Sequence, residues 1–141
     1  MTTETGFEVH METTFDESVE KVIAALKTEG FGVLTRIDVH KTLKEKLGED
    51  FRPYVILGAC NPPLAHRALS TDPVVGLMLP CNVTVEEDPQ GGSITRIANP
   101  EVMMQIGNLQ DNQTIREVAV QARERLERVA ASLLTAYEIG A

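Results

Sequence analysis

Both cysteines of the chain, Cys60 and Cys81, fall in the stretch YVILGACNPPLAHRALSTDPVVGLMLPCNVTV (Tyr54–Val85), each followed by an asparagine, and His66 lies between them. Thiols and imidazole are the groups here with the chemistry to attack an electrophile, cycle between redox states or bind a soft metal. Asn61-Pro62 reads as a helix start, Asn as cap and Pro at the first helical position. Cys60 would then sit at a helix N-terminus, where the dipole and free N–H groups favour a thiolate. Four readings follow. Cys60 is a nucleophile with Cys81 as resolving partner. Or Cys60, Cys81 and His66 hold a soft metal or support haem. Or Cys60, Asn61, His66 and Cys81 surround a small-molecule pocket. Or both cysteines are small core residues in a structural dimerisation module.

The spacing discriminates among these only in part. Zinc sites show close Cys or His pairs, and a C-x5-H step with a distant second Cys matches none of them, so no metal-ligand set is assigned. Met103 and Met104 are soft donors at core-filling spacing, and no haem-attachment motif accompanies them. Phosphate-loop, dinucleotide, zincin and nucleophile-elbow motifs are absent from the sequence. The cofactor is therefore left open, and catalytic residues are not assigned.

The elements that must position these groups read out in order. Phe7, Val9 and Met11 alternate with Glu8, His10 and Glu12, a half-buried strand with His10 on the polar side. Thr14 caps a helix with Phe15, Val19, Val22, Ile23 and Leu26 on one stripe, ended by Gly30. Phe31–Ile37 is a strand. Asp38 opens a short helix with Val39, Leu43 and Leu47 on one face and Lys41, Lys44 and Lys46 on the solvated side. Tyr54–Ala59 is so continuously apolar that it predicts a central strand covered on both faces. The helix after Asn61 would bury Leu64, Ala65, Ala68 and Leu69 and stop at Asp72-Pro73.

Val74–Leu79 is a second apolar run, read as a strand that Pro80 breaks, at a bulge or sheet edge. Cys81–Glu87 and Ser93–Ala98 form a hairpin around Gly91-Gly92. Asn99-Pro100 starts a short helix over 101–106. Asp111 or Asn112 then opens a long amphipathic helix through Leu126 to Leu134. The sum is α+β: a largely antiparallel sheet with helices packed on one face, a long amphipathic C-terminal helix, and a single domain over residues 1–141. The face without helices needs another cover. Tyr54, Ile56 and Leu77 supply an apolar patch there, and a homodimer would bury it.

Composition narrows the partners. The net charge is −8 with a pI near 4.8. Scattered basic residues and few aromatics argue against nucleic acid and against anionic membrane surfaces. No apolar run reaches the ~20 residues of a membrane span. The polar, acidic N-terminus lacks signal-peptide architecture, which places the protein in the cytoplasm with free thiols.

The blocks YVILGACNPPLAHRAL (Tyr54–Leu69), GLMLPCNVTV (Gly76–Val85) and GGSITRIANP (Gly91–Pro100) together resemble the domain of unknown function 302 family. The resemblance implies a small α+β domain, dimeric, from bacteria or archaea, with no established activity. It marks Cys60, Asn61, Pro62, Pro80 and Cys81 as part of the family pattern. Asn99 departs from it, because Asp is usual before that proline; the change keeps the helix cap and removes a carboxylate. The expectation taken forward is a small-ligand-binding or sensing domain with its pocket between sheet and helices near Cys60, His66 and Cys81.

Overall fold

Strict alternation of apolar residues needs one buried face, and the helices supply it. A computed structural model describes residues 5–138; the first four residues of the polar N-terminal run lie outside it. The strands are β1 (Gly6–Met11), β2 (Gly32–Asp38), β3 (Tyr54–Cys60), β4 (Cys81–Glu87) and β5 (Ser93–Ala98). They form one sheet of order β1-β5-β4-β3-β2 in which every neighbouring pair is antiparallel. The helices are α1 (Phe15–Thr28), α2 (Val39–Leu47), α3 (Pro62–Thr71), the single turn α4 (Pro100–Met103) and the long α5 (Gln113–Glu138). This is the α+β architecture expected from the sequence.

On β1, β3, β4 and β5 the odd-numbered residues face the helices. Phe7, Val9 and Met11 of β1, Val55, Leu57 and Ala59 of β3, Val83 and Val85 of β4, and Ile97 of β5 are all buried. They pack against Val19, Val22 and Leu26 of α1 and Ala122, Leu126, Val129 and Leu133 of α5. Both helices start where the sequence says: Thr14 Oγ1 accepts the Glu17 N–H, and Asn112 Oδ1 accepts the Ile115 N–H at 3.1 Å. A second cluster gathers Ala68, Val75, Met104, Leu109, Ile115, Val118 and Ala119 under the first half of α5.

Several expectations are corrected. Residues Val74–Leu79 do not form a strand; Pro73–Met78 is a 3-10 helix. Asp72 explains it: its carboxylate accepts the Val74 N–H at 3.0 Å and Pro73 presets the first turn. Apolar content alone does not separate a short buried strand from a helical turn. Pro80 therefore precedes β4 and does not interrupt it, and β4 is the middle strand of five, not an edge. Nor is β3 covered on both faces, since Tyr54 and Ile56 are only half-buried.

The apolar faces expected on α2 and α3 are weaker than their spacing suggests. No α2 residue is buried, Leu47 is 68% exposed, and in α3 only Ala68 is buried while Leu69 is exposed. The Asp38 side chain makes no capping bond to α2; it receives Arg36 instead. His40, for which the sequence suggests no role, ties α2 to the sheet by accepting the Tyr54 N–H on Nδ1 at 3.0 Å.

Leu126 is fully buried between α5 and the sheet, and Leu134 is 43% exposed near the same helix's end. Leu126→Ala should lower unfolding free energy by about 2–5 kcal/mol, and Leu134→Ala by under ~1 kcal/mol. Urea denaturation monitored by far-UV circular dichroism measures both.

Candidate functional site

On β1, β3, β4 and β5 the even-numbered residues point away from the helices, and beyond the bulge in β2 Thr35 and Ile37 join them. This face carries Glu8 on β1, Arg96 and Ala98 on β5, Asn82, Thr84 and Glu86 on β4, and Tyr54, Ile56 and Gly58 on β3. Gly58 is buried here because its neighbours leave no room: a Cβ at this position would collide with Thr35 Oγ1 and the Pro80 ring. Pro80, placed by the turn after the 3-10 helix, thus packs down onto the sheet, and α4 flanks the face from the other side.

One ion-pair chain crosses this face. Glu86 is 5% exposed. Its carboxylate accepts Arg96 Nη1 at 2.6 Å on one oxygen and Arg52 Nε at 2.8 Å on the other. Arg96 also reaches Glu8 Oε1 at 3.2 Å. Two cations and two carboxylates alternate, so the chain is formally neutral. Burial alone would raise the Glu86 pKa, but the hydrogen bonds and charges of Arg96 and Arg52 outweigh it and hold the carboxyl below its ordinary range.

Beside this chain opens a cavity of about 500 Å³. Its floor is sheet: Glu8, Tyr54, Asn82, Thr84 and Arg96. Its rim is sulfur-rich and apolar: Met78, Pro80, Cys81, Met103 and Met104. Asn82 is exposed, and the side chains of Tyr54, Asn82 and Thr84 make no hydrogen bond among the described residues. The size suits a small metabolite.

The pocket expected between sheet and helices is a different space. Cys60, Cys81 and Met104 do line a cavity there, but it is only about 40 Å³, room for roughly one water. Cys81 pairs across the sheet with Ala59, next to Cys60, where β3 stops and β4 begins, and it borders both this small cavity and the larger one. Both thiols are free. Burial raises the pKa of Cys60, and burial together with the nearby Cys60 charge pushes Cys81 up to about 11. The thiolate expected from the helix start is therefore outweighed by desolvation.

His66 is exposed on α3 and lies outside the walls of both cavities. Among the described residues no three His, Cys, Asp or Glu side chains gather as a metal site, so the set Cys60–His66–Cys81 is not assembled. Asn61 serves the backbone: its Oδ1 accepts the Leu64 N–H at 3.3 Å and its Nδ2 donates to the Glu29 carbonyl at 3.4 Å. Of the four candidates, only Cys81 borders the large cavity. The residues missed in the sequence, Tyr54, Thr84, Glu86 and Arg96, had one usable signal. The hairpin puts Arg96 opposite Thr84, diagonal to Glu86, within reach of an ion pair.

The sequence pattern of the domain of unknown function DUF302 matches residues 7–133. Among solved structures, the chain is similar to the crystal structure of an uncharacterized conserved DUF302 protein from Bacillus stearothermophilus. The two are 32% identical, the match covers 90% of this chain and 96% of that one, and the TM-score is 0.79. No curated protein matches.

Two measurements check the electrostatics. A carboxyl whose folded pKa is depressed stabilises above its unfolded pKa, about 4.3 for Glu, and loses that contribution as pH falls through the folded value. Glu86→Gln should therefore flatten the stability-versus-pH curve below about pH 4.5, read by acid titration of the melting temperature. Thiol labelling of the native protein at pH 8 should modify Cys60 before Cys81, with the Cys81 rate still climbing toward pH 11.

Proposed function

We propose, since the chain belongs to the DUF302 family, that it is a small-ligand-binding or sensing domain whose site is the cavity on the open face of the sheet. The family resemblance seen in the Cys60–Pro62 and Pro80–Asn82 blocks is confirmed by that membership, and Pro80 and Cys81 stand on the cavity's rim. The observation that carries the reading is a cavity of about 500 Å³ with three polar side chains on its floor that make no hydrogen bond among the described residues. A solvent-facing sheet surface has no packing reason to be hollowed this way. Binding rather than catalysis is favoured because the available nucleophile, Cys81, is held as the neutral thiol at physiological pH.

A homodimer of single-domain subunits in the cytoplasm completes this reading. Leu34 and Ile37 of the edge strand β2 are 69% and 49% exposed, and Leu77 is 78% exposed. Ile37 pairs with Ile56, and Thr35 meets Pro80 over Gly58, so this stretch of β2 borders the open face. A second copy laid there covers them. Among the described residues no helix is long and apolar enough to cross a membrane.

A thermal-shift screen of small metabolites tests the site. A ligand at 100 times its Kd stabilises by about 2.7 kcal/mol, a melting shift of roughly 5–10 °C. The double substitution Asn82→Ala/Thr84→Val should remove most of that shift while leaving the ligand-free melting temperature nearly unchanged. A broad library with no hit overturns the proposal. Analytical ultracentrifugation of the wild type and of Leu34→Glu/Ile37→Lys tests the dimer: a monomeric wild type refutes it.

A further inference from the structure

The geometry points to an uncharged, planar heteroaromatic ring with an amide-like edge as the ligand class of the open-face cavity. This rests on the reading of that cavity as a binding site and adds the chemistry it selects. Three features of the walls carry it.

The first is charge. Arg96 is held by Glu86 at 2.6 Å and by Glu8 at 3.2 Å, and Arg52 by Glu86 at 2.8 Å. Every charge on the floor already has an opposite partner within the protein. An anionic ligand would be repelled by the carboxylates of Glu86 and Glu8 that already hold Arg96, and a cationic one would meet the guanidinium. A neutral ligand meets neither cost.

The second is sulfur. Met78, Met103 and Met104 all border this cavity. Thioethers are polarisable and favour contact with aromatic rings, commonly at the ring edge. Tyr54 adds an aromatic side chain to the same walls. A flat ring uses these contacts; a puckered aliphatic ring of the same size loses the sulfur–aromatic and ring–ring terms.

The third is the polar floor. Asn82 is exposed in the free protein and its carboxamide has a donor and an acceptor side by side. That pair matches a ligand edge that also presents one donor and one acceptor, as Asn does with adenine. Thr84, two residues along β4, offers a hydroxyl to the same face.

Three matched probes isolate these features: nicotinamide, nicotinate and cyclohexanecarboxamide. Nicotinate keeps the ring and gains a charge; cyclohexanecarboxamide keeps the amide and loses the aromatic ring. Full-length protein carrying carbon-13 methyl labels on methionine is titrated with each. The signals are assigned by single Met→Leu changes, and buried Met11 is the internal reference. Nicotinamide should move the Met78, Met103 and Met104 methyl signals and spare Met11. The two analogues should need about tenfold higher concentration, and Asn82→Ala should weaken nicotinamide about tenfold. Equal or tighter binding of nicotinate overturns the charge argument, and equal binding of cyclohexanecarboxamide overturns the ring argument. If other library fragments move those three methyls while aromatic ones do not, the ligand class is wrong and the site stands. If nothing in the library moves them, the site itself is wrong.

Discussion

A carboxylate that is 5% exposed on an uncovered sheet face has to be neutralised where it stands. Glu86 meets this requirement with two arginines, Arg52 from the connection before β3 and Arg96 from β5. An unpaired buried carboxylate would cost several kcal/mol or stay protonated. The ion-pair chain therefore fixes the relative placement of the β3 approach, β4, β5 and, through Glu8, β1. It also makes the open face electrically neutral at its centre, although the whole chain carries a net charge of −8. The open face is thus not a generic acidic surface. Its polarity is internally satisfied, and what it offers outward is the remainder: an amide, a hydroxyl, a phenol and sulfur.

The helix side was largely legible from residue order. Alternation in Phe7–Met11 and helical spacing in Phe15–Leu26 and Ile115–Leu133 predict the buried positions of β1, α1 and α5 across both clusters, because one-sided burial writes a period into the sequence. The caps Thr14, Asn61 and Asn99 each receive a backbone N–H, as their positions ahead of helical runs imply. The open face was less legible. Its residues alternate with the core and look like ordinary solvated positions, and their roles arise only from cross-strand neighbours that the register brings together. Glu86 reads as solvent-facing in the run Glu86-Glu87-Asp88 until Arg52 and Arg96 are placed beside it.

The stretch Val74–Leu79 shows the same limit from the other side. Its apolar side chains say that something is buried but not in what geometry. Asp72 and Pro73 decide for a 3-10 turn, by a local hydrogen bond and a fixed backbone angle. That turn has two consequences. It buries Val75 in the second cluster under α5, and it delivers Met78 and Pro80 to the rim of the open-face cavity.

The position of the two cysteines then has a packing reason. The regular structure of β3 ends at Cys60 and that of β4 begins at Cys81. Between these ends lies the small cavity whose walls include Phe31 and Ala59 from the main core and Ala68, Met104 and Val118 from the second cluster. The two clusters meet there, and the space left is about 40 Å³. A thiol is small and weakly polar and needs no hydrogen-bond partner to be buried. A branched aliphatic side chain would crowd this seam and a serine would leave a hydroxyl to satisfy. Burial also keeps Cys81 protonated. The same desolvation that suits it to the seam removes the thiolate that catalysis would need, so packing at this point and thiol chemistry at neutral pH are in opposition, and the structure resolves that opposition in favour of packing.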